Sequence, residues 1–213
     1  MTMTERQPLT RERVIRAAVS LTDAHGVDEL SMRKLGAALG VEAMSLYNYV
    51  ENKDDLIDGV LDAILGEIVL PPETWAWDEQ LRAIGHAFRR AGHDHPRIFP
   101  LFGSRSIRSI SGLRPLERSY AVLRSAGLQT DDALDAFVSL ASFVFGYVLT
   151  ELGGFVDVAQ GRSLDVSEIP TGEHPWLIEM GVAFANRDGD RQFEFGLERM
   201  LRGLHAMVEA TSN

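Results

Sequence analysis

The chain has 213 residues, 45% of them hydrophobic, with a formal net charge of −10 and no cysteine. These values exclude disulfides, thiolate metal sites and a cysteine nucleophile, and the acidic total argues against a surface that binds nucleic acid everywhere. The N-terminal stretch MTMTERQPLTRER lacks the apolar run of a signal peptide, and the longest apolar run, ASFVFGYVL, is too short to span a bilayer, so we expect a soluble, cytoplasmic protein with no membrane partner.

The negative charge is distributed unevenly along the chain. Residues 1–53 contain seven basic and seven acidic side chains, so the acidic excess lies entirely after Lys53. Both lysines of the chain, Lys34 and Lys53, fall in this neutral part. Charge alone leaves two interpretations open: a small module that tolerates a polyanion joined to an acidic larger module, or a chance distribution.

Four helices are predicted in the first part of the chain, and three of them begin at capping residues. A Ser, Thr or Asn side chain just before a helix accepts a hydrogen bond from a free backbone N–H of the first turn. Thr10, Ser31 and Asn52 are placed to cap the first, second and fourth helices. Gly26 follows the first helix and suits the left-handed conformation that ends a helix, and Gly40 breaks the second helix after two turns.

The third and fourth helices lie on either side of a short polar segment. The third is predicted from about Glu42 to Tyr49. The fourth runs from Lys53 to about Val69, and Pro71-Pro72 stops it because proline cannot continue a helix. The two prolines therefore mark the predicted domain boundary.

The remaining chain also shows the spacing of apolar residues that is typical of helices. No segment alternates like a β-strand, and 157–174, rich in Gly, Pro, Ser and Asp, is expected to be a loop. Helices are predicted at 77–92, 96–102, 115–126, 130–152 (with Thr130 as its cap), 175–185 and 191–208. The predicted fold class is all-α.

The short third helix combines a buried face with an unusual exposed one. Leu46 and Val50 lie together on a helix and can join Leu35 and Leu39 of the second helix in a small core. Two short helices that share such a core across a tight glycine turn form a helix-turn-helix. The other face is neutral, hydrogen-bonding and partly apolar, and it comprises Ala43, Met44, Tyr47 and Asn48.

Such a face suits the floor of a DNA major groove. Carboxylates are repelled there, Asn pairs with adenine edges, and Met or Ala touches thymine methyl groups. Tyr hydroxyls, Ser45 and Lys53 suit phosphate oxygens, and Lys53 also begins a helix whose N-terminal amides attract phosphate. The alternative is that this face packs against the second module, since Tyr and Met are common at such contacts.

The first 60 or so residues resemble the DNA-binding domain of the tetracycline-repressor (TetR) family of bacterial regulators. The resemblance is carried by VIRAAVSLTDAHGVDELSMRKLGAALGV and SLYNYVENKDDLIDGVL. It implies base-facing residues at Arg33, Ala43, Met44, Ser45, Tyr47 and Asn48. It implies phosphate-facing residues at Met32, Tyr47, Tyr49 and Lys53. Met32 replaces the usual Ser or Thr, so its phosphate contact is lost or supplied by Ser31.

Three later segments, FRRA, GLRP and FVFGYVL, loosely resemble the ligand-binding domain of the tetracycline repressor. In that domain a His, a Thr and a Glu hold a magnesium–drug chelate, and those positions fall on Ile110, Leu113 and Thr150. Ile and Leu cannot ligate magnesium, and Glu151 is one residue away, about 100° around a helix. We therefore expect an apolar or aromatic ligand without a cofactor or metal.

The residues expected to contact this ligand are mostly apolar, as pocket walls are. The same residue types also form ordinary cores, and that interpretation stays open. The predicted ligand-binding set is Phe88, Phe99, Phe102, Arg114, Leu134, Phe137, Val138, Ala141, Trp176 and Met180.

Two polar clusters admit a functional and a plainer interpretation. The run HDH at 93–95, with His86 two turns earlier, has the residue types of a metal site, but His also suits the end of a helix. Arg105 and Arg108 either position guanidinium groups for an anionic ligand or belong to a solvated connector. We expect the plainer interpretation in both cases.

The sequence thus predicts a ligand-responsive, DNA-binding transcriptional regulator and not an enzyme. We assign 1–53 to a three-helix helix-turn-helix domain, about 53–70 to a connector, and 71–213 to a larger helical domain for ligand binding and dimerisation. A homodimer is expected to repress at a palindromic operator of double-stranded DNA and to be released by a small inducer. The long helix from Thr130 and the last helix are expected to build the dimer. The alternatives are an all-α enzyme and a protein-interaction adaptor with a vestigial DNA module.

Overall fold

The computed structural model describes residues 8–105, 110–153, 174–185 and 188–211, and every element in these ranges is helical. The all-α prediction is thereby confirmed. The α-helices are α1 (Arg11–His25), α2 (Met32–Leu39), α3 (Lys53–Gly66), α4 (Trp77–Asp94), α5 (Ile110–Ser125), α6 (Thr130–Leu152), α7 (Pro175–Ala185) and α8 (Gly189–Thr211). Shorter 3₁₀ segments lie at Val27–Glu29, Ala43–Asn48 and Phe99–Gly103.

The three predicted N-caps of the N-terminal helices are confirmed by hydrogen bonds. The side chains of Thr10, Ser31 and Asn52 accept from backbone N–H groups three residues later at 3.2, 3.3 and 2.9 Å. Gly40 ends α2, as predicted, and has a left-handed conformation (φ 68°, ψ 36°). Gly26 also has a positive φ of 88°, but its ψ of 163° lies outside the left-handed region, so that detail of the prediction was wrong.

Some predicted helix boundaries differ from the structure. The third helix is 3₁₀ and not α, and 96–102 reduces to the 3₁₀ segment Phe99–Gly103. Thr130 does not cap α6, because it is the first residue of the helix and Gln129 occupies the cap position. Pro115 lies inside α5 and not at its start. Gly112 and Pro115 are buried, so packing maintains the helix where proline removes one backbone donor.

The chain divides into two compact units. The N-terminal unit comprises Met1–Val69 and Asp94–Glu117, and the C-terminal unit comprises Leu70–His93 and Arg118–Asn213. The segment 94–117 therefore packs with residues that precede it by several helices. The division at Pro71-Pro72 made from sequence stays a proposal about domains.

The N-terminal unit has a core built by α1, α2 and α3, together with the 3₁₀ segments Ala43–Asn48 and Phe99–Gly103. Close packing is clearest where Ile15 fills the space beside Gly59 of α3, since a β-carbon there would lie 2.4 Å from Ile15 Cδ1. The fully buried members of this core are Val14, Ala18, Leu35, Leu46, Leu56, Ile64, Ile98 and Phe99.

The C-terminal unit has a separate core between α4, α5, α6 and α8. Phe193 lies at its centre, stacked on Phe143 with ring centroids 5.7 Å apart, and the Arg89 guanidinium lies 5.0 Å from the Phe193 ring centroid. The surrounding buried residues are Leu81, Val122, Leu123, Leu128, Leu140, Val144, Leu197 and Leu201.

Helix α6 is more apolar than the run ASFVFGYVL suggested. It alone among the described helices has the length and composition of a candidate membrane span, with a mean hydropathy of 1.7 over 18 residues. Only 28% of that window is buried within one chain. One such helix is weak evidence for a membrane, because the core helix of a soluble protein can have the same length and composition, and one face of α6 packs in the core of the C-terminal unit.

Candidate nucleic-acid interface

A tight turn after α2 positions the residues predicted to face DNA. Gly40 ends α2 in the left-handed conformation, and the Val41 N–H donates to the carbonyl of Gly36 at 2.9 Å. A β-carbon on Gly36 would lie 2.8 Å from the Val41 carbonyl oxygen, so only glycine permits this approach. The need for glycine at position 36 was not predicted, although its place four residues before Gly40 was a usable signal.

The 3₁₀ segment Ala43–Asn48 divides into a buried and an exposed side, as predicted. Leu46 and Val50 are buried against the core of the N-terminal unit. Met44 is 75% exposed, Tyr47 is 47% exposed, and Asn48 is also exposed. These three side chains lie on one segment without a carboxylate among them, so they form a surface that a base edge can approach.

The other members of the predicted set surround this surface. Ala43, Ser45, Tyr49 and Met32 are half-buried, while Arg33 and Lys53 are exposed. The Ser31 hydroxyl oxygen accepts from the Lys34 N–H, which leaves its own proton able to donate to a phosphate oxygen. Lys53 is the first residue of α3, where the free backbone N–H groups of the helix also favour an anion.

Two arginines outside this set hold the carboxylates of the first turn of α3. Arg11 of α1 donates to both oxygens of Asp55 at 2.9 and 2.7 Å and to the Tyr49 carbonyl at 2.7 Å. The hydrogen bond to Asp55 is the main cause of the raised pKa of Arg11. Arg105 donates to Asp54 and Asp58. Sequence separations of 44 to 51 residues gave no local signal for these pairs.

The predicted ligand-binding residues are distributed over both units. In the N-terminal unit Phe99 is buried, with the Phe102 ring 5.6 Å away, and Arg114 is exposed on α5. In the C-terminal unit Phe88 and Phe137 pack against the same core. The remaining members are exposed: Leu134, Val138 and Ala141 on α6, and Trp176 and Met180 on α7.

The histidines considered for a metal site each contact different carboxylates. His86 Nε2 lies 2.7 Å from Glu194, and His93 Nε2 lies 3.0 Å from Glu151. His95 lies in the N-terminal unit between Asp23 and Glu67. Within the described ranges no three His, Cys, Asp or Glu residues are arranged to hold a metal ion.

Thr150, which the resemblance aligns with a magnesium ligand, and its neighbour Glu151 make hydrogen bonds within the chain. The Thr150 hydroxyl donates to the carbonyls of Gly146 and Tyr147 at 2.5 and 2.9 Å. Glu151 accepts two hydrogen bonds from Arg89, at 2.9 and 2.7 Å, and is largely buried. This carboxylate therefore serves an ion pair within the C-terminal unit.

The chain matches known proteins over nearly its whole length. Residues 14–60 match the family described as bacterial regulatory proteins, tetR family, and residues 70–208 match the tetracyclin repressor-like C-terminal domain. A transcriptional regulator of the helix-turn-helix type from Saccharopolyspora erythraea is 39% identical over 93% of this chain and 85% of its own length. The class D tetracycline repressor of Escherichia coli is 30% identical over 95% of this chain and 92% of its own.

A solved structure agrees with these sequence relatives. The crystal structure of the TetR family protein ActR from Streptomyces coelicolor in complex with actinorhodin superposes with a TM-score of 0.78, at 32% identity, over 94% of this chain and 99% of that one. The exposed face of the helix-turn-helix, the two matched domains and these relatives lead to one conclusion: the chain belongs to the TetR family and is a DNA-binding transcriptional regulator.

Proposed function

We propose that the protein is a homodimeric repressor that binds a palindromic operator and is released from it by a small aromatic molecule. The observation that carries this proposal is the exposure of Met44, Tyr47 and Asn48 on a segment anchored by the buried Leu46. Each subunit supplies one such segment, and one segment makes too few contacts for specific binding. A dimer with two-fold symmetry therefore requires a two-fold symmetric site.

The residues of the interface have different tasks in this proposal. Asn48 hydrogen-bonds a base edge, and Met44 contacts thymine methyl groups. Lys53, Ser31 and Tyr49 bind phosphate oxygens and set the orientation of the segment. Their arrangement explains how an acidic protein binds DNA, because the neutral N-terminal part carries both lysines while the acidic excess lies further along the chain.

The dimer is inferred from unpartnered apolar surface on α6 and α8. The α6 stripe has exposed Leu134, Val138 and Ala141 at helical spacing; these three were predicted to contact the ligand, and we propose that they contact the partner subunit instead. The α8 stripe is exposed at Phe195, Gly203, Ala206, Met207 and Ala210. Two such helices from each subunit bury these stripes in a four-helix arrangement. This also accounts for the hydropathy of α6 without a membrane, and we infer a cytoplasmic location.

The inducer is proposed to be aromatic and to bind without magnesium. ActR, which shares the fold over nearly the whole chain, is seen in complex with actinorhodin. The magnesium ligands of the tetracycline repressor correspond here to Ile110, Leu113 and Thr150, and neither Ile nor Leu offers an oxygen. Binding of the ligand to one of two dimer shapes is sufficient for release, since a ligand shifts an equilibrium by its difference in affinity for the two states.

Fluorescence anisotropy with DNA from the region upstream of the protein's own gene tests this proposal. We expect saturable binding by a dimer, protection of a two-fold symmetric sequence in a footprint, and release by a planar aromatic compound such as actinorhodin in the presence of a chelator. A random duplex of equal length is the control. Binding that is equally tight to both duplexes contradicts the operator proposal, and turnover of the added compound would instead indicate an enzyme.

A further inference from the structure

The first turn of α3 combines a proposed phosphate contact with two acidic residues. Lys53 begins the helix, and Asp54 and Asp55 follow directly. The Asp54 side chain is 77% exposed, beside the exposed Lys53. Acidic residues in a first turn stabilise a helix, but a free carboxylate beside an approaching phosphate repels it. DNA binding at this turn therefore requires that the acidic charge be neutralised.

Each of the two carboxylates is bound by an arginine from another element. Asp55 is held by Arg11 of α1, as described above. Asp54 is held by Arg105, whose Nη2 lies 2.6 Å from Asp54 Oδ1 while its Nη1 lies 3.0 Å from Asp58 Oδ1. Asp54 and Asp58 are one helical turn apart, so a single guanidinium spans both.

The environment of Arg105 favours a defined geometry over a loose surface contact. Its side chain is 26% exposed and that of Asp58 only 15%. Hydrogen bonds to Asp54 and then to Asp58 raise the pKa of Arg105 above its ordinary value, so the guanidinium is charged at every physiological pH. Asp58 accepts a hydrogen bond from Nη1 of the guanidinium, and Asp54 accepts one from Nη2.

Arg105 lies outside the helix-turn-helix in sequence. It follows the 3₁₀ segment Phe99–Gly103, whose Phe99 is buried in the core of the N-terminal unit. That anchor holds Arg105 near α3, 51 residues away from Asp54 in the chain. Arg105 lies in the range 71–213 that was assigned from the sequence to the second domain, yet it pairs with Asp54 within the N-terminal unit.

We propose that Arg105 is a positioning residue for DNA binding, which neutralises Asp54 beside Lys53 and holds the first turn of α3 through Asp58. This inference rests on the proposed contact between Lys53 and phosphate. Because the effect acts on phosphate and not on bases, it is independent of DNA sequence.

The test uses the full-length protein and two probes, the upstream duplex described above and a random duplex of 40 base pairs. Arg105→Gln should weaken binding to both by roughly three- to ten-fold at low salt, and the difference should shrink as ionic strength rises. Adding Asp54→Asn to Arg105→Gln should restore the affinity to within about two-fold of the native value, since the exposed carboxylate beside Lys53 is then no longer present.

Arg118→Gln is the matched control. Arg118 also pairs with an exposed carboxylate, that of Glu73, but in the C-terminal unit. Its removal should leave the affinity for the random duplex unchanged. Circular dichroism at the assay temperature checks that all variants are folded.

Asp54→Asn alone keeps the test decisive if Arg105→Gln does not fold. It removes one negative charge from an exposed position and should leave binding to the random duplex as tight as native or tighter. Any one of three results overturns the inference: weaker DNA binding by Asp54→Asn than by the native protein, native affinity of folded Arg105→Gln, or failure of the double variant to recover affinity. If the native protein binds neither duplex, the proposed function itself fails, which is a different result.

Discussion

The side chains proposed to contact DNA, in the segment Ala43–Asn48 and shortly after it, differ in chemistry. This difference separates residues that recognise a particular base from residues that attract any DNA. Asn48 offers both a donor and an acceptor, the pattern that an adenine edge complements. Lys53 offers only a charge, which every phosphate accepts equally. The half-buried Ser45 and Tyr49 have hydroxyl groups that suit phosphate oxygens and fix position. Specificity is therefore concentrated in few residues.

Replacing Asn48 should affect operator binding selectively. If Asn48 contacts a base as proposed, Asn48→Ala should weaken operator binding by about 1–3 kcal/mol, with little change for a random duplex. Lys53→Ala is the matched comparison: it should weaken both and reduce the salt dependence by about one charge per subunit. Anisotropy titrations at several salt concentrations measure both effects. An equal loss on the two duplexes for Asn48→Ala would identify Asn48 as a backbone contact.

Among the elements, those governed by local rules were predictable and those governed by distant contacts were not. Thr10, Ser31 and Asn52 cap their helices because a short polar side chain finds a backbone N–H three residues later, a relation visible in the sequence. The 3₁₀ geometry of Ala43–Asn48 was missed, since the buried Leu46 is compatible with either helix type. The pairing of Arg105 with Asp54 and the packing of 94–117 with the N-terminal unit depend on the tertiary fold alone.

The turn between α2 and the 3₁₀ segment should tolerate no side chain at Gly36. Gly36→Ala places a β-carbon 2.8 Å from the Val41 carbonyl oxygen, and relieving this overlap should cost about 1–3 kcal/mol of unfolding free energy. Gly66→Ala is the matched control, because a β-carbon there meets nothing within 4 Å and alanine favours a helix by up to about 1 kcal/mol. Urea unfolding compares the two. Equal stability of the two variants would show that the turn relaxes without cost.

At the scale of the whole molecule, an ionic cluster around His95 joins α1, the end of α3 and the segment after α4 within the N-terminal unit. His95 is 8% exposed, its Nδ1 lies 3.0 Å from Asp23 at the end of α1, and its Nε2 lies 3.1 Å from Glu67 after α3. Arg97 donates to the backbone carbonyl of Asp23 at 2.9 Å. Both ring nitrogens face a carboxylate, so the doubly protonated imidazolium satisfies both contacts and the neutral ring satisfies only one.

We expect the stability that His95 contributes to the folded protein to fall as the pH rises. Burial lowers the pKa of His95, but the hydrogen bonds and charges of Asp23 and Glu67 together outweigh it, and the net pKa is raised. A raised pKa in the folded state contributes stability that is complete below the unfolded value of about 6.5 and is lost as the pH rises through the folded value. The difference in unfolding free energy between the native protein and His95→Gln, measured by urea from pH 5.5 to 9, should shrink accordingly. A constant difference contradicts the assignment.

The exposed apolar stripe of α6 bears on how the protein dimerises. Val138 lies at the middle of the exposed α6 stripe, between Leu134 and Ala141. If the stripe is buried between subunits, Val138→Glu leaves an unpaired carboxylate there and should weaken dimerisation by about 3–5 kcal/mol. Sedimentation should then show a folded monomer with greatly reduced operator affinity, because two half-sites can no longer be bound together. Val69→Glu alters an equally apolar, exposed position outside α6 and α8 and should remain dimeric. A dimeric Val138→Glu protein would move the interface away from α6.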